Sequence, residues 1–487
     1  MIFNSFEYLL FFPLVFAIYW GVLYKSTLLQ NSFLLVSSYF FYGFWSVNFA
    51  GLLILSTLID YFYGFGVSSA NKRKSKFFLW LSIINNLGIL CLFKYYNFFA
   101  LEFQNLLENL GLSVSISILN IALPVGISFY TFHGMSYVID IYRGERKPVT
   151  NFIDYGLFVS FFPLLVAGPI ERASHLLPQI QQKRFFQYSK AVEGGRLILW
   201  GLFKKVVVAD NCAFFANNIL NNFEIHSGSS LFIGIFFFSI QIYADFSGYS
   251  DIASGSAKLL GFDLLTNFRF PYFSRSLAEF WKRWHISLSS WFRDYLYIPL
   301  GGSKKGLTRT LINTFIIFLV SGFWHGASWN FILWGAIHAF GFIPGLFLNK
   351  KKTKPSSTII AAGKNFPSIH EIIQVLGTFL FVMLGWLFFR VVNFSDAISI
   401  LQKIFSSTIL ATPHFWTENI ELLKLAHLIL FIPFCFVCEW YSRNSNSNVL
   451  FMNKIKSPFL RYSFYLLLIL ITIGYKGESV EFIYFAF

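Results

Sequence analysis

Apolar residues run through this chain in long blocks, near 6–24, 29–45, 47–67, 77–95, 117–141, 152–170, 228–244, 311–323, 328–349, 371–392, 425–441 and 462–475. About 20 helical residues span the roughly 30 Å of a bilayer's hydrocarbon. Backbone polar groups in lipid must bond internally, so the blocks are expected to be helices. The pattern predicts an all-α polytopic membrane protein with roughly eleven to thirteen membrane segments. The stretch near 171–227 is more polar and reads as helices lying at the interface or entering only part way, and the one near 277–310 reads as interfacial. Residues 350–370, rich in Lys, Ser and Pro, read as a soluble loop. No internal repeat is visible, so the expectation is a single membrane-embedded domain over 1–487.

Composition strengthens this reading. Hydrophobic residues make up 56% of the chain and charged ones 13%, against about 25% charged in a soluble domain. The net charge of +15 is concentrated at Lys72–Lys76, Arg143–Lys147, Lys304–Arg309, Lys350–Lys354 and, more loosely, Lys454–Arg461. Each cluster abuts an apolar block, as short cytoplasmic loops do. The basicity therefore points to topology and anionic lipid rather than nucleic acid. The opening Met1–Glu7 lacks a positive leader and a small-residue cleavage site, so the first block is expected to be a retained membrane helix. Four cysteines occur, and the pair Cys435 and Cys438 sits in an apolar run with no second ligand pair nearby, which favours packing over metal or redox chemistry.

Residues 245–350 depart from ordinary spanning helices. Asp245–Asp251 (DFSGYSD) follows an apolar block directly, and 278–302 mixes Trp and Tyr with charge before the turn Pro299–Gly302. Next comes the arm Leu311–Trp324, then His325, Gly326, Ala327, Ser328, Trp329 and Asn330. An arm of 14 residues covers roughly 21 Å, which would stop His325 inside the membrane. An ionisable residue there is a functional candidate, and imidazole titrates near neutral pH, as a general base should. Trp324 would supply an apolar wall, Ser328 and Asn330 hydrogen bonds, and Gly326 a close approach to the backbone. His285, Asp245 and Tyr249 join the candidate list. Lys304 and Lys305 are candidates for the phosphates of an anionic donor. His133 and His338 lie in apolar segments and read as packing residues, and the remaining histidines as solvated or structural. Asp245 and Asp251, six apart, share a helical face poorly and do not form a working carboxylate pair. No Gly-rich phosphate loop, nucleophile elbow, zinc-binding HExxH or paired metal ligands are found.

Taken together, these residues resemble the membrane-bound O-acyltransferase superfamily, and within it the alginate O-acetyltransferase branch. The matching strings are Ile2–Ser5, Leu123–His133 (LPVGISFYTFH), Phe161–Pro163, Gly168–Arg172 (GPIER), Asp245–Asp251, Trp284–Ser289 (WHISLS), Trp324–Trp329 (WHGASW) and Glu481–Phe487. In that order they are specific. The resemblance implies a bundle of tilted helices around a central funnel, a catalytic histidine at His325 and a second motif histidine at His285. It implies a cytoplasmic acyl donor; acetyl-CoA is expected as that donor, a substrate rather than a bound cofactor, and the absence of paired metal ligands leaves no metal expected. It also implies an acceptor outside the cell membrane, reached through an extracytoplasmic, esterase-like partner. Ala339 and Ala486 stand where the family often has Gly and Gln. The leading expectation is O-acetylation of an exported, alginate-like polysaccharide. D-alanyl transfer toward teichoic acids and peptidoglycan O-acetylation are the enzymatic alternatives. A polymer transporter is the rival from another class, though such proteins often carry inverted repeats.

Overall fold

A computed structural model describes residues 1–348, 359–414, 419–445, 447–475 and 480–485. Lys350–Lys354 and Ala486, named above, lie outside the described residues. Within them every regular element is a helix. The chain forms two compact units, one of residues 1–195 with 253–265 and one of 196–252 with 266–487.

Among the described residues seven helices are long and apolar enough to cross a membrane: Val47–Val67, Lys72–Asn109, Gly228–Leu259, Leu307–His325, Trp329–Phe347, Ile369–Arg390 and Leu422–Ser442. Phe6–Gly21, Phe152–Leu165 and Pro458–Gly474 are shorter apolar helices. The protein is thus a multi-span membrane protein. The first helix shows how the sequence meets two environments. Tyr8, Phe11, Phe12, Val15 and Tyr19 are buried, while Phe6, Leu9, Leu10 and Leu14 are exposed. In water such an exposed apolar face would drive association, whereas in lipid it is already among like groups. Ser5, Ser26 and Ser46 each accept a hydrogen bond from the backbone N–H three residues on, which fixes where the first three helices begin.

The boundaries differ from the sequence reading in instructive places. The block 117–141 is helical only from Ile127. Pro124 precedes that start, and Gly126 takes a left-handed φ of 73° that only glycine adopts freely. The non-helical chain before it is tolerated because side chains of the preceding helix bond its backbone. Asn97 donates to the Leu119 carbonyl and accepts from its N–H, both at 2.9 Å, and Gln104 accepts from Ile116 N at 3.2 Å. The block 228–244 continues as one helix to Leu259 and carries the polar cluster within it. In the 171–227 stretch Trp200, Lys204, Lys205 and Cys212 are all buried within the protein. In the 277–310 stretch likewise, Phe280, Trp284, His285 and Trp291 are buried.

Candidate active site

His325 is the last residue of the helix Leu307–His325. That helix starts inside the basic loop, so its 19 residues reach about 28 Å rather than the 21 Å of the expected arm. Length alone therefore does not strand His325 in the membrane. What isolates it is its surroundings, since only 4% of it is exposed. The rings of Trp324, Trp334, Phe389 and Tyr484 lie 4.8, 5.1, 5.3 and 5.7 Å from its imidazole.

The helix is held against its neighbour Trp329–Leu348 at backbone level. A Cβ on Gly322 would lie 2.1 Å from the Phe331 carbonyl oxygen, and one on Gly335 would lie 2.2 Å from that of Phe318. Small residues at such a crossing let membrane helices approach closely. Gly326 makes room for the Phe331 ring, whose atoms would come within 2.2 Å of an added Cβ. So the close approach expected at Gly326 is made by the protein's own side chain.

His285 is 1% exposed and sits in the left-handed region, φ 42° and ψ 56°, just before the helix Ile286–Phe292. A non-glycine residue there costs of order 1–3 kcal/mol. Asn267 holds the turn: its carbonyl accepts from Ile286 N at 2.9 Å, and its Oδ1 accepts from Ser287 Oγ at 2.6 Å. The two histidines share two neighbours. Trp324 lies 6.1 Å and Tyr484 6.3 Å from the His285 ring. Burial pushes the His285 imidazole down to about 3, so it is neutral at physiological pH.

Beside the histidines lies a buried charge network. Lys205 Nζ is 2.7 Å from Asp210 and 2.8 Å from Asp245, and donates to the Val480 carbonyl at 2.9 Å. Lys204 Nζ is 2.6 Å from Asp251, which also accepts from Asn448 at 2.9 Å. Asp245 accepts from Ile483 N at 2.8 Å. The network thus ties down the terminal segment that presents Tyr484 to both histidines.

Of the candidates named from sequence, His285, His325 and Trp324 come together. Asp245 and Tyr249 stand one layer behind, Asp245 through Lys205 and Tyr249 with its ring 4.4 Å from Phe482. Asp245 and Asp251 meet different lysines, as their spacing suggested. Asn330 donates to the carbonyls of Val391 and Val392 at 2.7 and 2.6 Å, anchoring the end of the helix Ile369–Arg390. Ser328 accepts from Asn330 N at 3.3 Å. Lys304 and Lys305 are exposed. Lys204, Lys205, Asn267, Phe389 and Tyr484 were missed as site residues. The visible signal was a pair of lysines set in an otherwise apolar run, Trp200–Ala209. Among the described residues no group of three or more His, Cys, Asp or Glu side chains is placed to hold a metal ion.

Set beside the known proteins, this polytopic helical chain falls in the class of membrane-bound acyltransferases. The family model "MBOAT, membrane-bound O-acyltransferase family" matches residues 75–355. The chain is 38% identical over 411 residues to the "Probable alginate O-acetylase AlgI" of Pseudomonas putida, covering 83% of this chain and 80% of that one. It is 34% identical over 427 residues to the "Peptidoglycan O-acetyltransferase" of Helicobacter pylori, covering 82% and 78%. Similarity to the "Teichoic acid D-alanyltransferase" of Streptococcus thermophilus is 31% over 285 residues, covering 54% and 68%. This chain belongs to the membrane-bound O-acyltransferase family, and it is an O-acyltransferase.

Proposed function

We propose that the protein resides in the cell membrane and transfers an acetyl group from a cytoplasmic thioester, acetyl-CoA, toward a hydroxyl of an exported, alginate-like polysaccharide. The observation that carries the reading is the placement of His325 and His285 around shared aromatic walls, Trp324 and Tyr484. In the proposed step His325 takes the proton of an acceptor hydroxyl as its oxygen attacks the thioester carbonyl. The carbon–sulfur bond then breaks, and the thiolate takes the proton from the imidazolium. His285, neutral and fixed by its turn, positions the reactants. Aromatic walls exclude water and so limit hydrolysis of the thioester. Relay from the membrane to the polymer would fall to an extracytoplasmic, esterase-like partner.

Similarity to the alginate-type relatives over most of the chain supports this acceptor over D-alanyl transfer, where about half of the chain aligns. A peptidoglycan acceptor is the second reading, supported by the similarity to the Helicobacter pylori protein. The test is the acetyl content of exported polymer and of peptidoglycan in a deletion strain carrying either wild type or His325→Ala. Restoration of polymer acetylation by wild type alone is expected. Equal restoration by His325→Ala overturns the assignment, and restoration confined to peptidoglycan moves the acceptor to the second reading.

A further inference from the structure

At the end of the helix Phe6–Gly21 lies a cavity of about 760 Å³, lined by Phe16, Trp20, Tyr24, Lys25, Lys183 and Phe186 among others. A second cavity of about 390 Å³ shares Trp20, Lys183 and Phe186 with it and adds Lys190, Lys258 and Asp263. The larger one is walled by rings. Phe16 and Trp20 stand edge-on to Phe186 at 6.2 and 5.6 Å. The Trp20 indole N–H is engaged by the Leu259 carbonyl at 2.9 Å, which fixes the ring as a wall.

The polar end of this groove carries three cations, Lys25, Lys183 and Arg184, that make no direct ion pair among the described residues. Arg184, 6% exposed, is bonded by the Tyr19 hydroxyl, the carbonyls of Gln179 and Ile180, and Asn31 Oδ1, all of them neutral. No carboxylate lies within ion-pair distance of it among the described residues, and Asp154 is reached only through Asn31, whose amide donates to it at 2.9 Å. Lys25 and Lys183 are exposed and lie over the rings of Tyr24 and Phe185 at 5.6 and 5.4 Å. They too have no carboxylate within ion-pair distance among the described residues. Nearby cations differ: Lys190 and Lys258 reach Asp263 at 2.6 and 3.2 Å.

Trp20, Tyr24 and Lys25 in sequence at the end of an apolar helix mark the headgroup level of a bilayer. Two helices, Thr27–Gly43 and Val47–Val67, separate Lys25 from the basic first turn, Lys72–Lys76, of the helix Lys72–Leu90. If each crosses once, both basic sites face the cytoplasmic leaflet, where anionic lipids are enriched.

We infer that this groove holds one anionic phospholipid. Its phosphate lies on Lys25 and Lys183 above the Arg184 guanidinium, and one acyl chain runs along Phe16, Trp20 and Phe186. The inference does not depend on the acyl-transfer reading. It is tested on the full chain in detergent by native mass spectrometry, with added phosphatidylglycerol, phosphatidylcholine of the same chains, or glycerol phosphate. Retention of phosphatidylglycerol alone is expected. Lys25→Gln with Lys183→Gln should weaken it about 30-fold, from about 1 kcal/mol per lysine. A control pair, Lys72→Gln with Lys74→Gln, should leave it unchanged. Equal retention of phosphatidylcholine, an unaffected double variant, or displacement by millimolar glycerol phosphate would each overturn the lipid site.

Discussion

His133 and His325 are both buried in apolar helical surroundings, 1% and 4% exposed, yet the two sites are built differently. His133 sits in a closed polar cluster. Its Nε2 accepts from Glu171 N at 3.1 Å, and its Nδ1 is 3.5 Å from the Val159 carbonyl. The Glu171 carboxylate in turn accepts from Leu265 N at 2.6 Å and meets His175 at 2.8 Å. Each polar end is spent on holding backbone. His325 instead faces four aromatic rings, with a second histidine across two of them. Burial is common to the two histidines, and what each imidazole faces is where they differ.

That contrast is broken or sharpened most directly by a pair of substitutions. His325→Ala should lower acyl transfer about 100-fold or more, the usual range for a general base, with folded protein recovered in normal amount. His285→Ala should lose most activity, though less. His133→Ala should do the reverse. It leaves the buried Glu171 N–H unpaired, which costs about 1–3 kcal/mol of stability, while activity per folded molecule is retained. Transfer assays normalised to monodisperse protein decide it, and an active His325→Ala beside an inactive, well-folded His133→Ala would invert the comparison.

The next effect concerns what holds the His325 side together. Burial works to push the Lys205 ammonium down, but Asp245 and Asp210 outweigh it and the net shift is upward. Lys205→Met strands both carboxylates and should cost about 3–5 kcal/mol. It should also release the segment from Val480 that carries Tyr484, detected as a lower melting temperature and new proteolytic cleavage near the C-terminus. Adding Asp245→Asn should recover part of the loss, and an unchanged melting temperature for Lys205→Met would remove the network from the site's support. Gly322→Ala should cost about 1–3 kcal/mol through overpacking, because the atom it meets is backbone oxygen at 2.1 Å. Activity should fall with it.

A smaller effect is expected at Lys304 and Lys305, which are exposed. Replacing both with Gln should raise the apparent donor KM several-fold and flatten its dependence on salt, with kcat retained. Unchanged kinetics would leave these lysines with a role in topology alone.

Membrane helices and the two motif histidines were legible because hydropathy and an ionisable residue amid tryptophans are local signals. The support for the site was not, because it is assembled from distant segments. Lys204 and Lys205 look like interfacial charge until Asp210, Asp245 and Asp251 are brought to them. Tyr484 could be placed only through the resemblance of the terminal string, since nothing local says that a tail returns to His325. Asn330 likewise has partners far away in the chain. It lies two residues from Ser328, and its amide N–H groups donate to the carbonyls of Val391 and Val392, a long-range tie that spacing does not show. The start of the Ile127 helix was missed because the residues before it are apolar, and hydropathy does not register that Pro124 and Gly126 interrupt a helix.

The finest test separates a polar cluster that only stabilises from one that acts. His175 donates to Glu171 at 2.8 Å, and its pKa is raised, first by that hydrogen bond, against burial, and then by the charges of Glu171 and Asp263. A histidine raised in the folded state contributes stability that is fully present below its unfolded value of about 6.5. The contribution disappears as pH rises through the folded value. The side chain is 37% exposed, so solvent screens the pair and the effect should be small. His175→Gln keeps a hydrogen-bond donor for Glu171 but cannot take the charge. The melting temperature of wild type should therefore exceed that of the variant at about pH 5.5, and the gap should close by about pH 9. Acyl transfer per folded molecule should be the same in both. A gap that widens with pH would mean that the His175–Glu171 charge pair is not what this cluster contributes. A change in transfer rate at equal fold would show that the cluster around His133 is not a purely structural counterpart to His325.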